Sequence, residues 1–199
     1  PPYLIYWLWF FQFEMAMRRY FKASKRHPLI ETAAFQLAWF LCLYSKGFGT
    51  LCVVTVYLLF AAPQFPHIMR GLLFVTLATG IGCAIDSLYT TNGWLQFPSF
   101  TQGISFNLMA LWVCFSCTLL TLFSWLHRRW WLASLLGAVF GPLSYYAGMQ
   151  LGSVAFPRGL LPTLALYSAS WALLFPVLIW ISQHRIFTVE VVSNASPTP

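Results

Sequence analysis

Charge is the scarcest property of this 199-residue chain. Aspartate and glutamate together supply four residues, lysine and arginine supply eleven, and charged residues make up 8% of the sequence. Hydrophobic residues make up 59%, and the mean hydropathy is +0.71. A soluble domain of this length could not bury so much apolar surface. The composition therefore indicates a protein whose solvent is lipid.

Catalytic and metal-binding patterns are also missing. The sequence has no phosphate-binding glycine loop, no dinucleotide fingerprint, no serine-nucleophile elbow and no paired carboxylates. All five cysteines fall inside apolar runs, and no cysteine–histidine spacing suits zinc. We therefore expect no metal site, and no cofactor is predicted. The missing catalytic set leans against an enzyme but leaves that question open.

The basic residues stand at the ends of apolar stretches and form no continuous face. This distribution argues against nucleic-acid binding and fits the positive-inside rule. With the N-terminal segment in the cytoplasm, the outside loops hold only Lys46 and Arg158. The inside loops hold Arg18, Arg19, Lys22, Lys25, Arg26, Arg70, Arg128, Arg129 and Arg185. We predict a multi-pass protein of the bacterial inner membrane with both termini cytoplasmic.

Six apolar stretches with short breaks between them fill most of the chain. A bilayer core of about 30 Å needs about 20 apolar residues per helical span. We predict an all-α, polytopic transmembrane helical bundle with about six spans. The spans are expected at residues 28–45, 48–63, 70–91, 104–126, 130–152 and 160–182. The first two are short, and they could form a hairpin that does not cross fully.

The sequence divides into three segments. Residues 1–27 form an interfacial and basic segment, in which an aromatic run is followed by the basic cluster from Arg18 to Arg26. Aromatic and basic residues together suit the bilayer interface, so we predict an interfacial helix over residues 3–26. The alternative is the end of a spanning helix. Residues 28–184 form the transmembrane domain, and the polar tail at 185–199 is expected to be disordered.

Asp86 is the one ionisable residue that we predict well inside a span, which makes it the first functional candidate. A rise of 1.5 Å per residue places further polar side chains in the same outer layer. They are Asn107, Ser144, Tyr145, Tyr146, Gln150, Thr163, Tyr167 and Ser168. Because polar groups in lipid need partners, we predict one inward-facing cluster, which is either structural glue or a pocket. The alternative is an acid that reaches the interface or bonds Ser87 and Thr90.

The fifth span is rich in small residues. Gly137 and Gly141 are four residues apart, as are Gly148 and Gly152, and this spacing lets helices approach closely. Pro142 follows Gly141 and is expected to kink the helix. These five residues predict a helix-packing face, used either within the bundle or for docking another protein.

Four segments resemble one protein family. They are FQLAWF at 35–40, the Asp86-Ser87 pair, LMALWVCFSCTL at 108–119 and WLASLLGAVFGPLSYYAGMQLGSV at 131–154. Over about residues 30–184 the chain resembles the proteobacterial membrane proteins grouped as domain of unknown function 2878. The segment around Gly141, Tyr145 and Gly148 is the most specific part. The resemblance implies a membrane protein and carries over no catalytic residue, because the family has no established activity.

Two functional hypotheses follow. The first is a non-catalytic accessory or scaffold subunit of a larger membrane assembly, with membrane lipids and other membrane proteins as partners. The second is a small enzyme or carrier that handles a lipid or isoprenoid at an outer-leaflet site around Asp86. A bound lipid, isoprenoid or pigment belongs with this second hypothesis. A transporter is less attractive, because it would need more than one charge inside the membrane.

Overall fold

The computed structural model describes residues 27–45, 47–65, 67–97, 105–184 and residue 187. The expected interfacial helix over residues 3–26 lies outside these ranges. So do the basic cluster of Arg18, Arg19, Lys22, Lys25 and Arg26 and the tail beyond residue 187.

Six α-helices make up the described part of the chain, which confirms the all-α fold class. They are α1 (Pro28–Tyr44), α2 (Phe48–Ala61), α3 (Ile68–Thr91), α4 (Phe106–Leu120), α5 (Trp130–Gln150) and α6 (Leu160–Ser182). Short 3-10 helices follow α2 at Ala62–Gln64 and α4 at Ser124–Leu126. Each predicted span corresponds to one helix. The fourth span is the least accurate, because α4 ends at Leu120 and a turn follows.

Local capping chemistry sets several helix ends. Pro28 begins α1, where its missing N–H is not needed, and His27 Nδ1 accepts the N–H of Leu29 at 3.3 Å. Ser105 caps α4 through its hydroxyl. Gly152 lies beyond the end of α5 with φ of 73°, a conformation that glycine adopts without strain. Its role is to end α5, so the predicted packing role of Gly152 within a helix is wrong.

Three described helices, α3, α5 and α6, are long and apolar enough to cross a membrane. The other three are apolar but shorter. The 15 residues of α4 rise only about 22 Å, which is less than the thickness of a bilayer core. Seven of these 15 residues are buried, and α4 packs against α1, α2 and α3. Helix α4 is therefore the centre of the bundle.

Helices α5 and α6 pack closely along their length because α5 presents small residues to α6. Gly137 lies against the backbone of Trp171, and Gly141 lies against the Trp171 indole. A side-chain carbon at either glycine would overlap those atoms. Gly148 is buried near Val154 but has room for a methyl group. The first glycine pair thus serves packing within the bundle.

Each of these two helices contains a proline, and each proline leaves one carbonyl without its helical donor. Pro142 in α5 has no N–H for the carbonyl of Ala138, and the Ser168 hydroxyl of α6 donates to that carbonyl at 2.8 Å. The same arrangement occurs in reverse on α6. Pro176 has no N–H for the carbonyl of Ala172, and the Ser134 hydroxyl of α5 donates to that carbonyl at 2.7 Å.

Two serines therefore donate to the two carbonyls that lack a helical donor because of the prolines, each serine from the opposite helix of the pair. In a lipid environment a carbonyl without a hydrogen-bond donor is costly. Each serine hydrogen bond therefore joins the two helices at a point where a backbone carbonyl would otherwise have no donor. This pairing explains why Pro142 is compatible with a buried, continuous α5. It also gives Ser168 a role other than the one expected near Asp86.

Removing the serine should matter only while the proline is present. We expect Ser134→Ala to lower the free energy of unfolding by about 0.5–2 kcal/mol, because the Ala172 carbonyl loses its donor. In the Pro176→Ala background, residue 176 supplies an N–H again, so Ser134→Ala should cost close to nothing. The measurement is a double-mutant cycle by detergent-denaturant titration. An equal cost in both backgrounds would contradict this account.

Candidate functional site

Asp86 lies in α3, five residues before its end, and its side chain is 1% exposed. Its carboxylate joins four helices. Trp112 Nε1 of α4 donates to Oδ2 at 2.7 Å. The Tyr145 hydroxyl of α5 lies 2.8 Å from Oδ1 and 2.7 Å from Oδ2. The Tyr167 hydroxyl of α6 donates to Oδ1 at 3.1 Å. We call these four residues the Asp86 centre.

Small residues one helical turn away make room for this centre. Gly82 precedes Asp86 by four residues, and the Trp112 indole lies directly against it. A side-chain carbon at Gly82 would overlap the indole ring. Gly141 stands in the same relation to Tyr145 and admits the Trp171 indole. Because residues four apart share a helix face, each glycine sets how closely the neighbouring helix approaches the centre.

The electrostatics of the centre follow from its donors. The indole N–H can only donate, and an ionised carboxylate can only accept, so Trp112 and Asp86 are complementary. All three donors are neutral groups. Burying a carboxylate is costly unless several hydrogen bonds replace its water. Three donors to two oxygens provide that replacement, so each carboxylate oxygen accepts hydrogen bonds from within the bundle.

A second layer of aromatic contacts positions the two tyrosines. The rings of Tyr145 and Tyr167 lie 4.2 Å apart between centroids, and Tyr89 of α3 packs 5.0 Å from Tyr167. The Tyr89 hydroxyl also bonds the Ser170 hydroxyl of α6. Two contacts, one through Asp86 and one through Tyr89, therefore hold α6 against α3.

A row of aromatic rings in contact continues from the centre toward the other end of the bundle. The Trp112 and Trp171 rings stack at 5.4 Å with an interplanar angle of 7°. Phe115 meets Trp171 edge-on at 5.4 Å, and Phe123 meets Phe175 at 5.2 Å. Large side chains thus fill the space between α4 and α6, and the Asp86 centre is the polar end of this aromatic layer.

Asn107 is not part of the centre. Its side chain accepts from the Thr50 hydroxyl at 3.0 Å and donates to the Ser45 carbonyl at 3.0 Å. The Ser45 and Thr50 hydroxyls bond each other at 2.9 Å. This separate network joins the end of α1, the start of α2 and the start of α4. Asn107 and Trp112 are five residues apart, which turns them about 140° from each other around α4.

The remaining predicted members also bond elsewhere. Tyr146 accepts from Gln150 at 2.8 Å on the outer side of α5. Ser144 donates to the Gly141 carbonyl, and Thr163 donates to the Gly159 carbonyl. The structure brings only Tyr145 and Tyr167 to Asp86 among the residues that the sequence nominated. Thr90 bonds the main-chain carbonyl of Asp86, not its carboxylate.

Sequence reasoning missed Trp112, Tyr89 and Ser170. Trp112 lies within the apolar fourth span, and its indole N–H was not among the polar groups expected near Asp86. The available signal in the sequence was the small, polar Ser116 four residues after Trp112, on the same helix face, and the structure shows that Ser116 is buried. Glu31 is a second buried acid, 3% exposed, in the first turn of α1. Among the described residues, no group of three or more metal-ligating side chains could hold a metal ion.

Two loops cover the end of the bundle nearest to Asp86. We call residues 92–97 and 151–159 the cap. Gln96 and Ala155 exchange two backbone hydrogen bonds, at 3.0 and 2.7 Å, and so join the two loops. Five residues of helix separate Asp86 from the end of α3, so the Asp86 Cα lies about 7.5 Å along the helix axis from that end.

Adjacent tyrosines on α5 provide a matched test of the centre. We expect Tyr145→Phe to lower the free energy of unfolding by about 1–3 kcal/mol, because a buried carboxylate loses one of its donors. Tyr146→Phe removes the same hydroxyl from an interaction with the exposed Gln150 and should change it by less than about 0.5 kcal/mol. Detergent-denaturant titration of both variants compares the two values. Equal values for the two variants would show that Asp86 does not depend on Tyr145.

Comparison with known proteins places the chain in a family. No curated protein and no solved structure matches it. Residues 28–177 match one family, which is described as "Protein of unknown function (DUF2878)". The matched range includes α1 to α5, most of α6 and all four residues of the Asp86 centre. The chain therefore belongs to the DUF2878 family.

Proposed function

We propose that this protein is a non-catalytic integral membrane protein that serves as an accessory or scaffold subunit of a larger assembly in the bacterial inner membrane. The observation that carries the proposal is the burial of Asp86 among hydrogen-bond donors that the bundle itself supplies. Both carboxylate oxygens accept hydrogen bonds from within the bundle, and the side chain is 1% exposed. A substrate could reach this acid only after the hydrogen bonds of the Asp86 centre had broken and the four helices had separated there.

The other buried polar groups support the same interpretation. The Ser45–Thr50–Asn107 network joins three helices. The carbonyls of Ala138 and Ala172, which lack a helical donor, each accept a hydrogen bond from a serine of the neighbouring helix. Each of these contacts fixes one helix against another. Interhelical hydrogen bonds of this kind stabilise membrane bundles without requiring any ligand. A rigid bundle of this type suits a structural subunit.

The outward face of α3 offers a place where a partner helix could approach. Thr76, Gly80 and Ala84 follow one another at four-residue spacing and are exposed. A side-chain carbon built at Gly80 meets nothing within 4 Å. Small side chains at this spacing permit close contact between helices in a membrane. The face around Gly80 is therefore where the accessory hypothesis is best tested.

The test is native purification in mild detergent, followed by mass spectrometry of the proteins that co-purify. We expect the unaltered chain to recover a stoichiometric membrane-protein partner. Gly80→Leu should remove that partner without loss of stability, because the added side chain points into open space. Gly80→Ala is the matched control, and it should retain the partner because the residue stays small.

A monomeric protein with no stoichiometric partner would contradict the accessory role itself. A partner retained by Gly80→Leu would instead show that the interface lies on another face. The two outcomes are distinguished by the size of the purified complex, measured by light scattering.

The second candidate is a lipid- or isoprenoid-handling protein with its site at Asp86. The position of Asp86 near the cap favours it, because the Asp86 Cα is about 7.5 Å along the axis from the cap-side end of α3. Opening of the cap and of the centre would let Asp86 act as an acid or hydrogen-bonding group, with Tyr145 orienting the ligand. Asn107 and Tyr146, which face other directions, would not take part.

Asp86→Asn separates the two candidates. If the protein is a scaffold subunit, the new amide N–H₂ faces other donor groups in the Asp86 centre. We then expect the free energy of unfolding to fall by about 1–3 kcal/mol or more. A well-folded Asp86→Asn protein that has lost a co-purified lipid or isoprenoid would favour the second candidate. The measurements are denaturant titration and mass spectrometry of the extracted lipids. Tyr146→Phe serves as the control for both.

A further inference from the structure

Arg158 occupies a defined position in the cap although it is exposed to solvent. Its Nη2 donates to the Asn92 carbonyl at 2.7 Å. Its guanidinium carbon lies 4.6 Å from the centre of the Trp94 ring. A carbonyl and an aromatic face therefore hold the guanidinium group in place. Such a pre-oriented arginine loses less conformational entropy when it binds a ligand.

No described acidic side chain neutralises Arg158. Asp86 lies below the cap and accepts from Trp112, Tyr145 and Tyr167. Glu31 lies in the first turn of α1, whereas the cap-side end of α1 is Ser45, which bonds the start of α4. The two described acids are thus engaged or distant. The guanidinium group keeps its positive charge and most of its five N–H donors for a ligand.

The cap does not need Arg158 to hold its two loops together. Gln96 and Ala155 already exchange two backbone hydrogen bonds between these loops. The Arg158 side chain adds one hydrogen bond to the Asn92 carbonyl, and a neutral donor could make that bond as well. The Trp94 ring also attracts the charge, but the N–H groups that remain in the guanidinium plane suit a ligand that needs both charge and a forked donor.

Apolar side chains begin directly after Arg158. Leu160 and Leu161 start α6 and are 39% and 77% exposed. A cation next to exposed leucines at the end of a span-length helix marks the boundary between headgroups and acyl chains. An arginine near this boundary attracts the negative charge of anionic headgroups.

We propose that Arg158, held by Trp94 and Asn92, binds the phosphate group of an anionic phospholipid in the leaflet on the cap side. The phosphate oxygens accept from the guanidinium N–H groups, and the acyl chains lie against Leu160 and Leu161. A free phosphate or a soluble phosphorylated compound would offer the same oxygens, so the test must distinguish the two sources.

The probe is phosphatidylglycerol, titrated onto the delipidated full chain in mild detergent and counted by native mass spectrometry. Arg158→Gln keeps a donor for Asn92 but removes the charge, and we expect the tightest lipid to bind about tenfold more weakly or worse. Arg158→Lys should restore binding only in part, because an ammonium lacks the planar fork. Trp94→Ala should weaken binding while the charge remains.

Arg128 supplies the matched control. It is exposed and lies in the connection between α4 and α5, which is at the opposite end of the bundle from the cap. Arg128→Gln removes the same charge and should leave the tightest lipid in place. Because both arginines are exposed, neither substitution should alter folding, and unchanged thermal unfolding verifies this.

Three results would overturn the proposal. The first is equal phosphatidylglycerol binding by the unaltered chain and Arg158→Gln. The second is an equal loss in Arg128→Gln, which would show a general effect of charge. The third is binding of inorganic phosphate without binding of phosphatidylglycerol, which would assign the site to a soluble phosphate. Retention of phosphatidylglycerol in the presence of excess inorganic phosphate supports the lipid.

Discussion

The need of a buried carboxylate for hydrogen-bond donors determines how four of the six described helices are arranged. Asp86 has no water to bond in a lipid-embedded bundle, so protein groups must supply every donor. Those donors come from α4, α5 and α6, while Asp86 itself belongs to α3. A shift of any one helix along its axis by one residue, about 1.5 Å, would break at least one of these bonds. The centre therefore fixes the register of the bundle, which a layer of interchangeable apolar side chains would leave less defined.

The hydrogen bonds of the centre depend in turn on packing between glycine and tryptophan. Gly82 admits the Trp112 indole to α3, and Gly141 admits the Trp171 indole to α5. These two indoles stack on each other, so the positions of both glycine-containing helices are linked through one pair of rings. An added methyl group at either glycine would displace a ring, and displacement of Trp112 would also remove a donor from Asp86. Close packing and polar satisfaction are thus two aspects of a single constraint.

The sequence predicted the helices better than it predicted the site, for a geometrical reason. Helix ends follow local signals. Pro28 begins α1, at the first residue of the predicted span 28–45, whereas Gly152 was assigned to helix packing although it follows the end of α5. Position along each helix was also readable from residue number, and Tyr145 and Tyr167, which were expected at the level of Asp86, do bond its carboxylate. Rotation about each helix axis was not used. Neighbouring residues differ by about 100°, which is why Tyr146 points away from the centre while Tyr145 points into it. The hydrogen bonds from Ser134 and Ser168 to the carbonyls that the prolines leave without a donor could not be foreseen, because they depend on the relative register of α5 and α6.

The identity of the acid at position 86 follows from the donors around it. An asparagine offers one acceptor oxygen and one N–H₂ group, so it cannot accept from three convergent donors on both sides of its terminal group. A serine or threonine has a single oxygen, and a glutamate would extend the carboxylate by one methylene into a packed layer of rings. Aspartate alone combines two acceptor oxygens with the short side chain that this space allows. An acid at this position therefore does not require a catalytic role, because the indole of Trp112 and the hydroxyls of Tyr145 and Tyr167 already account for it. The same reasoning directs attention to the surface of the molecule, where Arg158 has a charge that no described residue of the bundle balances.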